Sequence, residues 1–195
     1  MEWFERTFPI GADTLVLDAG GTPLNWSLAS RRPRLVMLNL PRTLEEADRN
    51  TLLVFADGRR MPFRDGAFDI VFSNSVIEHI GDPGGQAGFA REIARVGRSF
   101  WVQTPNRWFP IEPHLLTPFL HWLPRQWQRA IAARFTVWEL LARPRPDQRE
   151  YYLRHSLEEV RLLDARALRA LFPDAVIVRE RFLGWTKSLV AVRRG

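Results

Sequence analysis

Short, continuous runs of apolar residues recur along this chain, and they constrain its fold more than any other feature. Each run has the length of a β-strand, and turn residues bound most of them. Strands that are apolar at consecutive positions are buried on both faces, which is typical of a parallel sheet covered by helices. The predicted strands are Leu15–Ala19, Leu35–Leu40, Leu52–Ala56, Asp69–Ser73 and Phe100–Gln103.

Helical segments fit between these strands. The segment from Gly85 to Val96 has the apolar periodicity of a helix, and Gly97 ends it. The two earlier connections, residues 24–32 and 42–50, each have room for about two or three helical turns. Alternating strands and helices predict an α/β fold.

The C-terminal part of the chain predicts further sheet. A helix from Asp164 to Leu171 ends at Phe172-Pro173, and two strand-like runs follow, Val176–Arg181 and Ser188–Val192. The runs are joined through the short link Gly184-Trp185-Thr186, and adjacent strands with so short a link are antiparallel. We therefore expect the parallel sheet to close in an antiparallel hairpin.

Residues 104–156 differ from the rest of the chain, because their first part is dense in proline and aromatic residues. From Gln126 to Ala142 the apolar residues recur at spacings of four and three, which predicts one amphipathic helix. We interpret the segment as a helical insertion after the fifth strand, a lid or substrate subdomain within a single domain that spans residues 1–195. The apolar stripe consists of Trp127, Ile131, Phe135, Trp138 and Leu141.

Composition excludes some classes of site. The chain has no cysteine, so disulfides and thiolate zinc sites are excluded. Its four histidines are scattered without metal-ligand spacing, and we predict no metal site. The net charge of +6 comes mostly from arginines without a compact patch. It fits an anionic membrane surface, an acidic substrate or a bias toward arginine better than nucleic acid.

Two observations concern location. The N-terminal residues Met1–Arg6 include acids and no long apolar core, unlike a signal peptide. No window approaches the roughly 18–20 apolar residues that span a bilayer. We expect a cytoplasmic protein.

Residues with cofactor-binding chemistry follow the predicted strands. The run Asp18-Ala19-Gly20-Gly21 ends the first strand, Asp57-Gly58 follows the third, and Asn74 follows the fourth. In a doubly wound sheet the carboxyl ends of the strands form the ligand crevice. Glycines there let the backbone approach a ligand closely, because they carry no side chain.

The stretch from Asp57 to His79, with the earlier run Leu15–Gly21, resembles the cofactor half of a class I S-adenosylmethionine-dependent methyltransferase. The resemblance is to the type 11 branch, which acts mainly on small molecules and lipids. It implies a doubly wound, Rossmann-like fold whose seven-stranded, mostly parallel sheet ends in an antiparallel hairpin. It also implies S-adenosylmethionine as the cofactor and S-adenosylhomocysteine as its product.

The family's cofactor contacts can be placed on this sequence by its motifs. Gly20 and Gly21 match two glycines of the first motif, and Asp18 matches the acid that orients this loop and the methionine amino group. Asp57 matches the residue that receives the adenine amino group, and Asn74 stands at the methionine end. The resemblance thus implies cofactor contacts at Asp18, Ala19, Gly20, Gly21, Asn39, Leu40, Asp57, Gly58 and Asn74.

Two positions depart from the family's pattern. Thr22-Pro23 stand where another glycine is common, which narrows the freedom of the loop. Asn39 stands where the family usually has an acid that accepts both ribose hydroxyls. Its amide can accept one hydrogen bond and donate another, but the loss of the charge-assisted pair weakens cofactor binding by about 1 kcal/mol.

The predicted catalytic residues are His114 and Glu112. They lie in a proline-rich loop that leaves the carboxyl end of the fifth strand, close to the expected cofactor pocket. His114 can act as a general base where the acceptor must lose a proton, with Glu112 orienting its ring. The alternative is a loop histidine that bonds only to backbone. For His79 we expect a packing or capping role.

The sequence leaves two interpretations of the insertion open. Its apolar stripe packs in a core, or residues 115–143 lie on an anionic bilayer as a peripheral, tryptophan-rich element beside arginines. The second interpretation implies a lipid-linked acceptor and a location at the inner face of the membrane.

The predicted function is methyl transfer to a small-molecule or lipid-linked acceptor. A non-catalytic binding or assembly module with the methyltransferase fold is the alternative, since Asn39 and Thr22-Pro23 depart from the pattern. A nucleic-acid methyltransferase is a weaker third hypothesis. Ser73-Asn74-Ser75-Val76 follows the fourth strand, where such enzymes carry an Asn-Pro-Pro-Tyr type of run.

Overall fold

A single sheet organises the structure, a computed structural model that describes residues 1–41 and 51–195. The predicted connection at residues 42–50 lies outside the described residues. Each of the seven predicted runs corresponds to a strand, with ends that differ by up to three residues. The strands are β1 (Leu15–Ala19), β2 (Arg34–Asn39), β3 (Thr51–Phe55), β4 (Phe68–Asn74), β5 (Gly97–Pro105), β6 (Val176–Phe182) and β7 (Trp185–Arg193).

The strand order of the sheet is β3-β2-β1-β4-β5-β7-β6. Strands β1 to β5 pair in parallel, whereas β7 pairs antiparallel with both β5 and β6. The order reverses beside β1, which lies between β2 and β4, and a ligand crevice forms at such a reversal. The predicted fold class, a doubly wound parallel sheet that closes in an antiparallel hairpin, is confirmed.

Helices cover both faces of the sheet. The α-helices are α1 (Glu2–Thr7), α2 (Pro23–Ser27), α3 (Pro83–Val96), α4 (Arg125–Ala132), α5 (Val137–Ala142), α6 (Pro146–Arg154) and α7 (Ala165–Leu171). Two 3₁₀ turns, Ile77–His79 and Leu120–Trp122, and a π-helical turn, His155–Glu159, complete the helical elements of the described residues.

Two apolar cores lie on opposite faces of the sheet. Because side chains alternate along a strand, Leu17 packs into the core that contains Phe89 and Leu168, from α3 and α7. Val16 packs into the other core, with Phe4 of α1 and Trp26 of α2. Both strand residues are fully buried, as the continuous apolar run predicts.

The prediction of one amphipathic helix from Gln126 to Ala142 is wrong. The segment forms two short helices, α4 and α5, which are separated after Ala132. Thr136 begins α5 because its hydroxyl accepts a hydrogen bond from the backbone N–H of Glu139, at 3.2 Å. Threonine is a preferred N-cap residue, and the cap starts a new helix inside the apolar pattern.

The core interpretation of the apolar stripe is therefore also wrong for three of its residues. Trp127, Phe135 and Leu141 are exposed over 58%, 46% and 71% of their surface. A small core does form in the insertion, around Leu115 and Leu120. Among the described residues, no helix has both the length and the apolar character needed to cross a membrane.

Arg95 of α3 fastens the long connection between β3 and β4. Its guanidinium donates to both carboxylate oxygens of Glu92 at 2.7 Å, and to the backbone carbonyls of Phe63 at 2.7 Å and Met61 at 3.1 Å. It also pairs with Asp65 at 2.8 Å. This connection carries the predicted cofactor residue Asp57, so one arginine holds the loop against α3.

We expect Arg95→Met to lower the free energy of unfolding by about 1–3 kcal/mol, because two loop carbonyls and Glu92 lose their charged donor. Arg91→Met is the matched control on the same helix, since Arg91 is exposed. It should change stability by less than about 0.5 kcal/mol. Equal denaturation midpoints for the two variants in urea would contradict this role of Arg95.

Candidate functional site

Asp18 at the end of β1 is the central residue of the predicted cofactor site. Its side chain is fully buried, and Trp26 of α2 donates its indole N–H to Oδ2 at 2.6 Å. Burial raises the pKa of Asp18 to about 7, against the opposing hydrogen bonds from Trp26 and the backbone N–H of Gly21. The sequence pattern identified Asp18 but missed Trp26, whose indole points back from the next helix.

The tight packing after Asp18 leaves no room for a side chain at the two glycines that follow. Gly20 has a φ of +86°, and its N–H donates to the carbonyl of Leu38 at 2.8 Å. A Cβ atom on Gly21 would lie 1.9 Å from Oδ2 of Asp18. The backbone therefore forms a cradle without side chains beside a buried carboxyl group.

Asn39 at the end of β2 supports the same cradle. It is buried, and its side-chain amide donates to the carbonyl of Gly21 at 3.0 Å. An aspartate at this position could not donate that bond. This hydrogen bond explains why asparagine stands at this position, which the sequence alone did not show. The neighbouring predicted residue Leu40 is exposed.

Asp57 lies in the loop after β3 and is paired within that loop. Its carboxylate accepts from the guanidinium of Arg59 at 2.7–3.0 Å and from the backbone N–H of Arg59 at 2.8 Å. These hydrogen bonds lower the pKa of Asp57. The pair is about half exposed, so it is weak and can rearrange around a ligand. A Cβ on Gly58 would lie 2.7 Å from the ring of Phe89.

A cavity of about 700 Å³ lies beside Asn74, at the carboxyl ends of β4 and β5. Aromatic residues form much of its wall, including Phe72, Trp101 and Phe109. The polar lining groups come from the strand ends and the C-terminal hairpin. They include Asn74, Ser75, Gln103, Asn106, Glu180 and Lys187.

The structure brings the two predicted catalytic residues together. Nδ1 of His114 lies 2.9 Å from Oε1 of Glu112. The Glu112 carboxylate also accepts from the backbone N–H groups of His114 and Leu115. The acid therefore orients the imidazole, and Ile111 and Pro113 of the same loop line the cavity beside Asn74.

Sequence reasoning missed that further histidines join this pair. Nε2 of His79 lies 3.4 Å from Nε2 of His114, and the ring of His155 stacks on that of His79 with centroids 5.3 Å apart. The adjacent Glu78 is fully buried and accepts from the hydroxyl of Thr104 at 2.9 Å. The sequence does show an acid next to a histidine after β4, at Glu78 and His79. It does not show which distant residues contact them.

The comparisons with known proteins agree with this geometry. The model of a family described as a methyltransferase domain matches residues 32–99, about a third of the chain. The match includes the whole stretch from Asp57 to His79. Residues 32–99 of this chain are thus similar to a methyltransferase domain. The family predicted from the sequence is thereby confirmed, and with it S-adenosylmethionine as the cofactor.

Solved structures share the fold at low identity. A methyltransferase of Methanosarcina mazei is 11% identical, with a TM-score of 0.53, over 95% of this chain and 94% of that chain. Phosphoethanolamine N-methyltransferase 2 of Haemonchus contortus, solved with phosphomonomethylethanolamine and S-adenosylhomocysteine, is 15% identical, with a TM-score of 0.54, over 90% of this chain and 37% of that chain.

The fold by itself does not assign a chemistry. A protein of Rhodobacter sphaeroides grouped with Zn-dependent alcohol dehydrogenases is 12% identical, with a TM-score of 0.63, over 98% of this chain and 86% of that chain. Unrelated functions share such folds, so function must come from the site. No curated protein sequence matches this chain.

The methyltransferase match begins after Asp18 and ends before Glu112. The contacts predicted for individual residues, the glycine loop included, therefore stay predictions. So does the catalytic role of His114 and Glu112.

The buried Asp18 should make the stability of the ligand-free protein depend on pH. Above its ordinary pKa of 3.8 the unfolded chain loses this proton, while the folded chain keeps it up to about pH 7. The free energy of unfolding should thus fall between about pH 4 and 7. Asp18→Asn should remove that fall and be more stable at pH 8, by on the order of 2–4 kcal/mol.

The measurement is the difference in unfolding free energy between the variant and the native protein across that pH range. Asp13→Asn is the matched control, because Asp13 is an exposed acid before the same strand. A difference between Asp18→Asn and the native protein that stays constant with pH would show that Asp18 is ionised in the folded state throughout.

Proposed function

We propose that this chain is an S-adenosylmethionine-dependent methyltransferase whose acceptor is a small-molecule or lipid-linked metabolite. The observation that carries the proposal is the glycine backbone of Gly20 and Gly21 against the buried Asp18, at the same edge of the sheet as a cavity at the ends of β4 and β5. The cradle suits a cofactor that must approach the backbone, and the cavity suits an acceptor.

The residues present fit the methionine end of the cofactor. Oδ1 of Asp18 is buried without a hydrogen-bond partner among the described residues, which is costly unless a ligand completes it. An ammonium group of the cofactor would supply that partner as a charged donor. When bound, S-adenosylmethionine supplies a sulfonium methyl group that a nucleophile can displace. Asn74 and Ser75, which line the cavity, would face that end.

The cavity supports an acceptor of metabolite size. Its volume of about 700 Å³ falls in the usual range for small-molecule sites, which combine apolar walls with a few polar groups. Lys187 is the only lysine of the chain, and it lines this cavity. Its ammonium group is suited to an anionic group of the acceptor. This placement makes Lys187 a candidate for acceptor recognition.

His114 is the base we propose for acceptors that lose a proton. Glu112 holds Nδ1, so Nε2, which faces His79 at 3.4 Å, is the atom that would take a proton as long as no other ligand occupies it. Acceptors that need no deprotonation would use only positioning and exclusion of water, which supply much of the catalysis of an in-line displacement. The aromatic walls of the cavity provide that exclusion.

A lipid-linked acceptor is supported by the exposed aromatic residues of the insertion. Phe119, Trp122 and Trp127 are each exposed over at least 40% of their surface. Arg125 and Arg129 lie on α4 beside them. Exposed tryptophans next to arginines are typical of an element that lies at the surface of an anionic bilayer. Peripheral contact through residues 115–143 would bring the acceptor cavity close to lipid.

A binding or assembly module without catalysis is the second candidate. Asn39 supports it, because its side-chain N–H donates to the carbonyl of Gly21 and is not available to a ribose hydroxyl. Against it stands the cavity beside Asn74, which a scaffold has no need to keep. Nucleic acid is a less favoured acceptor, since the cavity has the size of a metabolite site.

Binding of the cofactor can be measured directly by calorimetry with S-adenosylmethionine and S-adenosylhomocysteine. The native protein should bind both, and Gly21→Ala should weaken binding by more than about tenfold, because the new methyl group displaces Asp18. Gly11→Ala is the matched control, since its Cβ would meet only Thr14 at 3.9 Å. If the native protein binds neither compound at millimolar concentration, the proposal is wrong.

The acceptor can be sought by profiling metabolites and lipids of cells with and without the gene. A compound that differs by the mass of one methyl group should appear only with the native gene, and not with the Gly21→Ala gene. Its recovery in the lipid fraction would support the membrane-linked form of the proposal. Methylated nucleic acid as the only difference would contradict both forms. A protein that binds the cofactor but changes no compound would favour the binding module.

A further inference from the structure

We propose that Glu78, His79 and His114 form a binding site for a divalent transition-metal ion of the Zn²⁺ type. The three residues come from the turn after β4 and from the loop after β5. The proposal departs from the sequence-based expectation of no metal site, because ligands so far apart in the chain leave no spacing motif.

The distances suit an ion shared by the three side chains. One ligand atom from each residue lies within 4.8 Å of the others. The two Nε2 atoms of His79 and His114 are 3.4 Å apart. In a tetrahedral site with Zn–N bonds of about 2.0–2.1 Å, two imidazole nitrogens are roughly 3.3–3.4 Å apart. The histidine pair is therefore already placed as two corners of such a site.

Glu112 prepares His114 as a ligand. Its carboxylate accepts from Nδ1 of the imidazole at 2.9 Å and is itself fixed by two backbone N–H groups. A proton held on Nδ1 leaves the lone pair of Nε2 free to bind a metal. Metal-bound histidines usually have such a carboxylate or carbonyl behind them, which fixes the tautomer and the ring orientation.

Glu78 offers a buried oxygen with nothing to bind it. The residue is fully buried, and Oε2 accepts from Thr104. Oε1 has no hydrogen-bond partner among the residues described by the structure. A buried carboxylate oxygen left unpaired is costly, and a cation is one way to complete it. This oxygen is an independent sign of a missing ligand, and Nδ1 of His79 is likewise buried without a hydrogen-bond partner among the described residues.

His79 is held in a fixed orientation. Its ring lies against the parallel ring of His155, which in turn stacks on Tyr151 with centroids 6.0 Å apart. This stacking directs Nε2 of His79 at Nε2 of His114.

The donor set selects the class of ion. Two imidazoles and one carboxylate suit Zn²⁺, Co²⁺ or Ni²⁺, whereas Mg²⁺ prefers oxygen ligands and octahedral geometry. Three protein ligands leave one tetrahedral position open, as in catalytic zinc sites. An oxygen bound there is polarised by the ion. The alternative is a hydrogen-bonded cluster in which His79 donates from Nε2 to His114 and Glu78 carries a proton.

Metal titration of the chelator-treated full chain, without S-adenosylmethionine, separates these two states. Zn²⁺ and Co²⁺ should each bind with one equivalent by calorimetry and raise the melting temperature, and Mg²⁺ should not. Bound Co²⁺ should show the intense visible absorption of a tetrahedral complex. The result is independent of methyl transfer, so its failure would leave the proposed function untouched.

Variants then assign the ligands. His79→Gln and His114→Gln should each abolish the Co²⁺ spectrum, and Glu112→Gln should weaken binding by about 10–100-fold through loss of orientation. His121→Gln is the matched control, because His121 bonds to the carbonyl of Arg107 away from the cluster. Circular dichroism of the metal-free variants checks that each is folded.

The native protein decides the question even if a variant does not fold. No stoichiometric binding of Zn²⁺ or Co²⁺, tighter binding of Mg²⁺, or an octahedral Co²⁺ spectrum would overturn the proposal in favour of the hydrogen-bonded cluster. Loss of binding in His121→Gln to the same extent as in His114→Gln would overturn the assignment of ligands.

Discussion

The hydrogen bond from Trp26 to the buried carboxyl group of Asp18 anchors the edge of the sheet where the strand order reverses. It ties α2 to the end of β1 and leaves the intervening backbone to pass so close to the carboxyl group that residue 21 has no room for a side chain. Asn39 then joins the end of β2 to the same backbone through Gly21. Three consecutive elements are thus fixed around one acid before any ligand binds.

The strand order explains why two different sites lie along this one edge. Because β1 has β2 on one side and β4 on the other, the cradle at Asp18 lies where the strand order reverses. Beyond β4 the sheet continues into β5 and the antiparallel hairpin, whose ends form the cavity with Lys187. The turn after β4 carries Ser75 into this cavity and His79 into the histidine cluster.

Much of this fold could be predicted from the sequence, because burial on both faces makes the strands continuously apolar. The position of the glycine loop was also predictable, since glycines after a strand let the backbone pass close to its neighbours. The hydrogen bond from Trp26 to Asp18 could not be predicted, because the neighbouring sequence does not distinguish an indole that bonds to an acid from one that only packs. The convergence of His79, His114 and His155 depends on tertiary structure across the chain. The sequence predicted one helix at Gln126–Ala142, whereas two form, because Thr136 caps a new helix although the apolar residues keep their helical spacing.

The loop after β5 contributes residues both to the cavity and to the histidine cluster. Ile111 and Pro113 line the cavity beside Asn74, while Glu112 and His114 bond to each other on the side of the cluster. Ile111 also bridges to Pro118 across a turn that includes Pro113 and His114. Whatever completes Glu78 and the two histidines would therefore also fix the wall of the cavity beside Asn74. The shape of that cavity and the occupancy of the cluster are then properties of one loop.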